Sequence, residues 1–141
     1  METISLIDYF ARISLSNKYK RMFLTILKIL VIMLLLDSVY LYSTKNLFGE
    51  MVAKIQRTAI QFRLEGAVIV YLLLGMGLYY FIVKPGRSVW EAALLGLVIY
   101  GTYDFTNYAI LKNYDLIIAI MDTVWGATLF ALTTYVLTRI V

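Results

Sequence analysis

The sequence predicts an all-α fold: a four-helix transmembrane bundle with one or two amphipathic interfacial helices. The first observation behind this prediction is composition. Of the 141 residues, 62% are hydrophobic and 16% are charged, and the mean hydropathy is +0.80, whereas a soluble domain has roughly 45–50% apolar and about 25% charged residues. The second observation is that the apolar residues fall into four segments, each close to the length of about 20 residues that crosses a bilayer.

The four predicted spans form one transmembrane domain, residues 22–141. They cover about residues 22–42, 66–83, 89–111 and 116–138. Pro85 and Gly86 end the second span, because proline cannot continue a helix. The third and fourth spans are connected only by Lys112–Asp115, and so short a connection makes them an antiparallel hairpin.

Two further stretches have an apolar face at helical spacing. In the N-terminal amphipathic segment, residues 1–21, that face contains Ile4, Ile7, Phe10, Ala11 and Leu15. In a predicted interfacial helix at about residues 47–62, it contains Phe48, Met51, Val52, Ile55, Ala59 and Phe62, with Lys54, Arg57 and Gln61 opposite. Helices of this kind lie in the headgroup plane of a membrane. The alternative, of equal weight, is that both stretches pack on the ends of the bundle.

Composition also limits the chemistry. The chain has no cysteine and no histidine, so disulfides, thiolate chemistry, haem ligation and the usual zinc sites are excluded, and no metal site or cofactor is predicted. The net charge of +4 does not indicate nucleic-acid binding, because the bases are scattered between apolar runs. With the N-terminus inside, seven bases lie on the inner side and five on the outer side, which favours cytoplasmic N- and C-termini.

Three acids lie inside the predicted spans: Asp37, Asp104 and Asp122. A charge at the bilayer centre costs roughly 2.5–3.5 kcal/mol, so such residues usually face a bundle interior. Counted from the nearest end of each span, all three lie about 8–11 Å below one membrane surface. The spans alternate in direction, so this is the same surface, the outer one, for all three acids.

Polar and aromatic side chains accompany these acids. Tyr100, Asp104 and Asn107 share one helical stripe, and Trp125 lies one turn after Asp122. Tyr71 of the second span lies at a similar depth. The predicted binding residues are Asp37, Tyr100, Tyr103, Asp104, Asn107, Asp122 and Trp125. No catalytic residue is assigned.

The residues from Tyr100 to Asn107, and those from Asp122 to Gly126, also carry a resemblance. The string YGTYDFTNYAILKNYD followed by MDTVWG is similar to the hallmark of a family of small predicted membrane proteins called domain of unknown function 2177. That hallmark reads Y-x-T-Y-D-L-T-N-x-A-x-L, a short loop, then V-D-x-x-W-G. The resemblance runs from about Leu34 to Leu132. It implies the four-helix architecture and marks the polar cluster as the family's signature, but it implies no activity.

Three functional interpretations follow. The first is binding or transport of a small solute, a proton or a cation by the polar cluster. The second is a structural membrane protein whose acids join the helices. The resemblance extends to sequences of large DNA viruses, so this interpretation includes a component of a virion inner membrane. The third is a membrane enzyme that acts on a lipid. The expected partner is the lipid bilayer, and a homo-oligomer or a membrane or capsid protein is an open alternative.

Overall fold

Four helices make up the part of the chain that the structure describes. The computed structural model describes residues 6–140, with side chains in the first helix from residue 12 onward. The helices are α1 (Leu6–Gln56), α2 (Leu64–Leu78, continued by a π-helical segment, Tyr79–Val83), α3 (Val89–Ile110) and α4 (Leu116–Ile140). No strand occurs in residues 6–140. The predicted all-α, four-helix fold is therefore confirmed.

Local hydrogen bonds fix where α2 ends and where α3 and α4 begin. The π-helical segment ends where the Lys84 amide donates to the Tyr79 carbonyl over 2.8 Å. α3 begins with a capping box, in which the Glu91 amide donates to Ser88 Oγ and the Ser88 amide donates to Glu91 Oε2. α4 begins after Asp115, whose Oδ1 accepts the Ile117 amide over 2.8 Å. These caps hold the short connections in place.

Three of the four helices are long and apolar enough to cross a membrane. Their apolar parts lie within residues 12–56, 64–83 and 116–140. α3 has 22 residues, but Glu91, Asp104 and Asn107 lower its hydropathy. Crossing by α3 remains a prediction, and its packing along α4 supports that prediction.

The first helix is longer than the sequence suggested. α1 has 51 residues, so it is about 75 Å long, more than twice the roughly 30 Å hydrocarbon core. The polar residues after the predicted span do not end it. Ser43 Oγ and Thr44 Oγ1 each donate to a carbonyl one turn earlier over 2.8 Å, so the helix satisfies these hydroxyls as it continues.

The predicted interfacial helix at 47–62 is thus the last part of α1 as far as Gln56, and residues 57–63 are not helical. Its apolar face contacts the end of the bundle. Met51 is 4% exposed, and its sulfur accepts the Asp115 amide at the start of α4. A position in the headgroup plane remains a prediction. For the N-terminal segment, residues 1–5 and the side chains of Ile7, Phe10 and Ala11 lie outside the described part.

α4 is the central helix of the bundle. It packs antiparallel along α3 and also against α1, and α1 in turn packs against α2. Leu129 and Phe130 are fully buried in the core. The α2 and α3 backbones approach each other at few points, although Leu74 and Leu78 of α2 share the buried core with Ala92 of α3. The bundle is therefore closed around α4 but has a gap between α2 and α3.

Candidate functional site

Asp37 is the acid that joins three helices. It lies on α1 and is 7% exposed. The Trp125 indole Nε1 of α4 donates to its Oδ1 over 2.7 Å, and the Tyr71 hydroxyl of α2 donates to its Oδ2. Both carboxylate oxygens therefore have a donor from the protein, as a buried charge requires.

Asp122 lies on α4 and accepts a hydrogen bond from α1, whereas Asp37 lies on α1 and accepts one from α4. The Tyr40 hydroxyl of α1 donates to Asp122 Oδ1 over 2.9 Å. Tyr40 lies one turn after Asp37, and Trp125 lies one turn after Asp122. Each acid thus accepts a hydrogen bond from the aromatic residue of the other helix. The Tyr40 and Trp125 rings stack between the two bonds, with centroids 4.5 Å apart and planes 8° apart. We call these four residues the reciprocal acid–aromatic pairs.

Asp104 lies beside these pairs and is fully buried. The Tyr114 hydroxyl donates to its Oδ1 over 2.9 Å, and Thr123 Oγ1 donates to its Oδ2 over 3.4 Å. Burial, together with the bond to the Asp104 carboxylate, raises the pKa of the Tyr114 hydroxyl above its ordinary value. Tyr114 therefore keeps its proton, and remains a donor, at physiological pH. Thr123 directly follows Asp122 in α4, so Asp104 and Asp122 belong to one connected region, and the reciprocal pairs extend that region to Asp37.

One cavity is lined by Asp122 and by neither Asp37 nor Asp104. It has a volume of about 320 Å³ and lies between α2 and α3. We call it the α2–α3 cleft, and its lining residues are Val70, Leu74, Ile99, Tyr100, Tyr103 and Asp122. Its rim is open to the surroundings, because Val70 is 52% and Tyr103 is 64% exposed. Asp122 is half-buried and is the one acid in a lining that is otherwise apolar or aromatic.

The remaining predicted residues have different positions. Tyr100 lines the cleft and packs against α4, where its ring meets Phe130 edge-to-face at 6.5 Å. Asn107 is half-buried, and its backbone carbonyl accepts the Leu111 amide at the end of α3. Asn107 contributes no side-chain hydrogen bond to the acids within the described residues. A binding role for these residues remains a prediction.

Sequence reasoning gave no site role to three donors that the structure places at the acids. These donors are Tyr40, Tyr114 and Thr123, and none of them is among the predicted binding residues. A signal existed for Tyr40, because it repeats at Asp37 the one-turn spacing that marks Trp125 at Asp122. No comparable signal existed for Tyr114, which the loop after α3 brings back to Asp104. Depth counting did place Tyr71 near the acids, and its hydroxyl bonds to Asp37.

The geometry around the acids contains hydrogen-bond donors and no close carboxylate cluster. Among the side chains of residues 12–140, no three acids lie close enough together to hold a metal ion. Within the described residues, Asp37 and Asp104 thus each have a donor on both carboxyl oxygens, whereas Asp122 has a donor on one oxygen and lines the α2–α3 cleft. Such an arrangement can accept a further hydrogen bond or balance a positive charge at Asp122.

The fold and the acids define a helical membrane protein with a polar site in its bundle. Comparison with known families gives the particular family: predicted membrane protein (DUF2177), which matches residues 22–138. The chain belongs to this family, and its three long apolar helices fit an integral membrane protein. No curated protein and no solved structure is significantly similar to it.

Proposed function

We propose that this protein binds a small, lipid-soluble molecule with a cationic or hydrogen-bond-donating group in the α2–α3 cleft, where Asp122 binds that group. The sequence analysis predicted binding or transport of a small solute, a proton or a cation by the buried acids, and this proposal selects the small solute. The observation that carries it is the difference among the acids. Asp37 and Asp104 each have two donors, whereas Asp122 has one and lines a cavity.

The electrostatics of Asp122 favour a positively charged or donating group. A carboxylate inside a membrane protein is stable only when nearby groups replace the water it has lost. The Tyr40 hydroxyl bonds to one oxygen, Oδ1. A ligand ammonium or hydroxyl in the cleft would bond to the carboxylate a second time, as the second donors do at Asp37 and Asp104.

The walls of the cleft favour an apolar ligand body. Val70 and Leu74 of α2 face Ile99 of α3 across the cavity. A volume of about 320 Å³ is at the lower end of the roughly 300–1,000 Å³ typical of ligand pockets. Because Val70 and Tyr103 on the rim are exposed, a ligand can enter sideways from the lipid. These features together describe a small amphiphilic amine or alcohol.

Fluorescence quenching can test the proposal. Trp125 stacks on Tyr40, which bonds to Asp122, so its indole lies close to the proposed ligand. In a Trp90→Phe background Trp125 is the sole tryptophan. A nitroxide-labelled alkylamine should quench this fluorescence more strongly than the neutral amide of the same length. Asp122→Asn should weaken quenching by the amine about tenfold or more, as expected for a lost charge-assisted bond.

Asp104→Asn provides the matched control. It makes the same chemical change in a fully buried acid outside the cleft, so quenching by the amine should stay within about twofold of the parent, an effect of about 0.4 kcal/mol. Equal quenching by the amine and the amide, or no change in Asp122→Asn, would show that Asp122 is not a ligand-binding group.

A structural function is the second candidate, and a separate observation supports it. Asp37 and Asp104 have donors on both oxygens and join α1, α2, α3, α4 and the loop after α3. Acids that accept a hydrogen bond on each oxygen from neighbouring helices can hold those helices together without any ligand. If no amine, alcohol or cation binds and the Asp→Asn variants change only stability, the structural candidate takes the place of the binding function.

A further inference from the structure

A second pocket lies at the opposite end of the bundle from the acids. It lies between the N-terminal part of α1 and the π-helical segment that ends α2, and its volume is about 630 Å³. The polar residues that line it are Ser14, Asn17, Lys18, Arg21, Thr25 and Tyr79. We call it the basic-end pocket. The α2–α3 cleft shares no lining residue with it.

The charge of the basic-end pocket is positive. Lys18 and Arg21 lie one turn apart on the same face of α1, and both are exposed. No acid occurs within four residues of either in the sequence. Among residues 12–140, the ion pair that forms is the one between Arg87 and Glu91, outside the pocket. The two bases therefore repel each other, and an anion bound between them would relieve that repulsion.

The depth of these bases matches that of lipid phosphates. The predicted span of α1 begins near Met22, so Arg21 and Lys18 lie about 1.5 and 6 Å beyond it along the helix axis. The headgroup layer on each side of the hydrocarbon core is about 5–7 Å thick. Both bases thus lie within that layer. Tyr79 on the facing wall is near the end of the second span, a usual position for an interfacial aromatic.

The second wall adds the Tyr79 hydroxyl, and a base lies over the ring of the adjoining Tyr80. Tyr79 packs edge-to-face on Tyr80, with ring centroids 5.4 Å apart. The Lys84 ammonium lies 4.7 Å from the Tyr80 ring centroid, a cation–π contact. On the α1 side, the hydroxyl of Ser14 and the amide of Asn17 line the pocket together with the two bases. The pocket thus combines a guanidinium, an ammonium and uncharged donors, which are the groups that bind phosphate.

We propose that the basic-end pocket is a binding site for the headgroup phosphate of an anionic phospholipid, with Lys18 and Arg21 as its charged ligands. The neighbouring surface of α1 supports the lipid's position, because Leu24, one turn after Arg21 and just inside the span, is 45% exposed and can pack along an acyl chain. The lipid is bound on α1 and α2 together. This inference does not depend on the function proposed for the α2–α3 cleft.

Native mass spectrometry of the full chain can test this proposal. The protein is released from mixed micelles that contain equal amounts of phosphatidylglycerol and phosphatidylcholine with the same acyl chains. The wild type should retain phosphatidylglycerol preferentially. The double variant Lys18→Gln/Arg21→Gln should lose about tenfold or more of that preference, since each base near a membrane surface contributes several-fold to anionic-lipid binding.

A charge-matched variant at the other end of α1 controls for general attraction. Lys45→Gln/Lys54→Gln removes two exposed bases and should retain the wild-type preference. An equal loss in both double variants would overturn the proposal, and so would an unchanged preference in Lys18→Gln/Arg21→Gln. Addition of millimolar inorganic phosphate distinguishes lipid from free phosphate. Full displacement of the lipid by inorganic phosphate would show that the pocket binds phosphate without selecting a lipid, which also contradicts the proposal.

Discussion

At the scale of single residues, the same four-residue pattern occurs on α1 and on α4, and the two copies interlock. An acid is followed one turn later by an aromatic donor, Asp37 by Tyr40 and Asp122 by Trp125. Because α1 and α4 run in opposite directions, each donor meets the acid of the other helix. Each of these two hydrogen bonds therefore fixes the register of α1 against α4. The two acids nevertheless differ, because Asp122 lines the α2–α3 cleft and Asp37 does not.

That difference predicts that removal of the Tyr71 hydroxyl and removal of the Tyr40 hydroxyl lower the free energy of unfolding by different amounts. Tyr71→Phe leaves the buried Asp37 with one donor, so we expect it to lower the free energy of unfolding by about 1.5–3 kcal/mol. Tyr40→Phe retains the stack on Trp125 and leaves the half-buried Asp122 to be solvated from the cleft, so its cost should be about 0.5–1.5 kcal/mol.

Unfolding of the purified variants in detergent measures both costs. Tyr42→Phe is the matched control, because Tyr42 is 73% exposed and should tolerate the change. A larger cost for Tyr40→Phe than for Tyr71→Phe would mean that Asp122, not Asp37, is the structural acid. That result would remove the observation on which the proposed function rests.

At the scale of the helices, α3 and α4 approach closely through glycines. A methyl group added at Gly96 would overlap the backbone of Gly126, and one added at Gly126 would overlap the Tyr100 ring. Small residues of this kind allow helices to pack tightly in membranes. The close approach brings Thr123 of α4 to Asp104 of α3, so the glycine contact also positions an acid.

Gly96→Ala should therefore lower the free energy of unfolding by about 1–3 kcal/mol, because a helix backbone cannot yield as a flexible side chain can. Gly77→Ala makes the same change in α2 with no heavy atom within 4 Å of the new group. It should be neutral or stabilise by up to about 1 kcal/mol through helix propensity. The melting temperatures of the two variants give the comparison. Equal destabilisation by both substitutions would contradict the packing at Gly96.

The helices also show how far the sequence predicts the fold. Hydropathy predicted the apolar segments, and Pro85 predicted the end of the second, because these signals are local. The continuity of α1 through Ser43 and Thr44 was not predictable in this way, since it depends on hydroxyls that bond within the helix and on Met51 packing against the start of α4. The cost of burying Asp104 predicted that it has bonding partners, but only the folded loop identifies Tyr114 as one of them.

At the scale of the whole molecule, the main feature is the gap between α2 and α3. α2 packs mainly against α1, through the core and through the bond from Tyr71 to Asp37. The α2–α3 cleft is therefore bounded on one side by a helix with few contacts, and its single acid comes from the central helix α4. The basic-end pocket lies where α2 ends, so a lipid bound there would contact α2 as well as α1.

Filling the mouth of the cleft should prevent binding without disturbing the core. Val70 lies on the rim and is 52% exposed, so Val70→Phe adds bulk where there is space. We expect it to weaken quenching of Trp125 by the nitroxide-labelled amine about tenfold, a cost typical of overpacking a pocket. Val98→Phe, at a residue of α3 that is 56% exposed and outside the cleft lining, should leave the quenching unchanged. If both variants bind the amine normally, the ligand does not occupy the cleft.

The most direct test of the central claim is to map where such a ligand binds. A photoreactive alkylamine, cross-linked to the full chain in phosphatidylcholine nanodiscs, can be located by mass spectrometry of the digested protein. We expect cross-links to cleft residues such as Val70, Leu74 and Tyr103, and their loss in Asp122→Asn but not in Asp104→Asn. Cross-links spread evenly over the lipid-facing residues of all helices, or unaffected by Asp122→Asn, would contradict it.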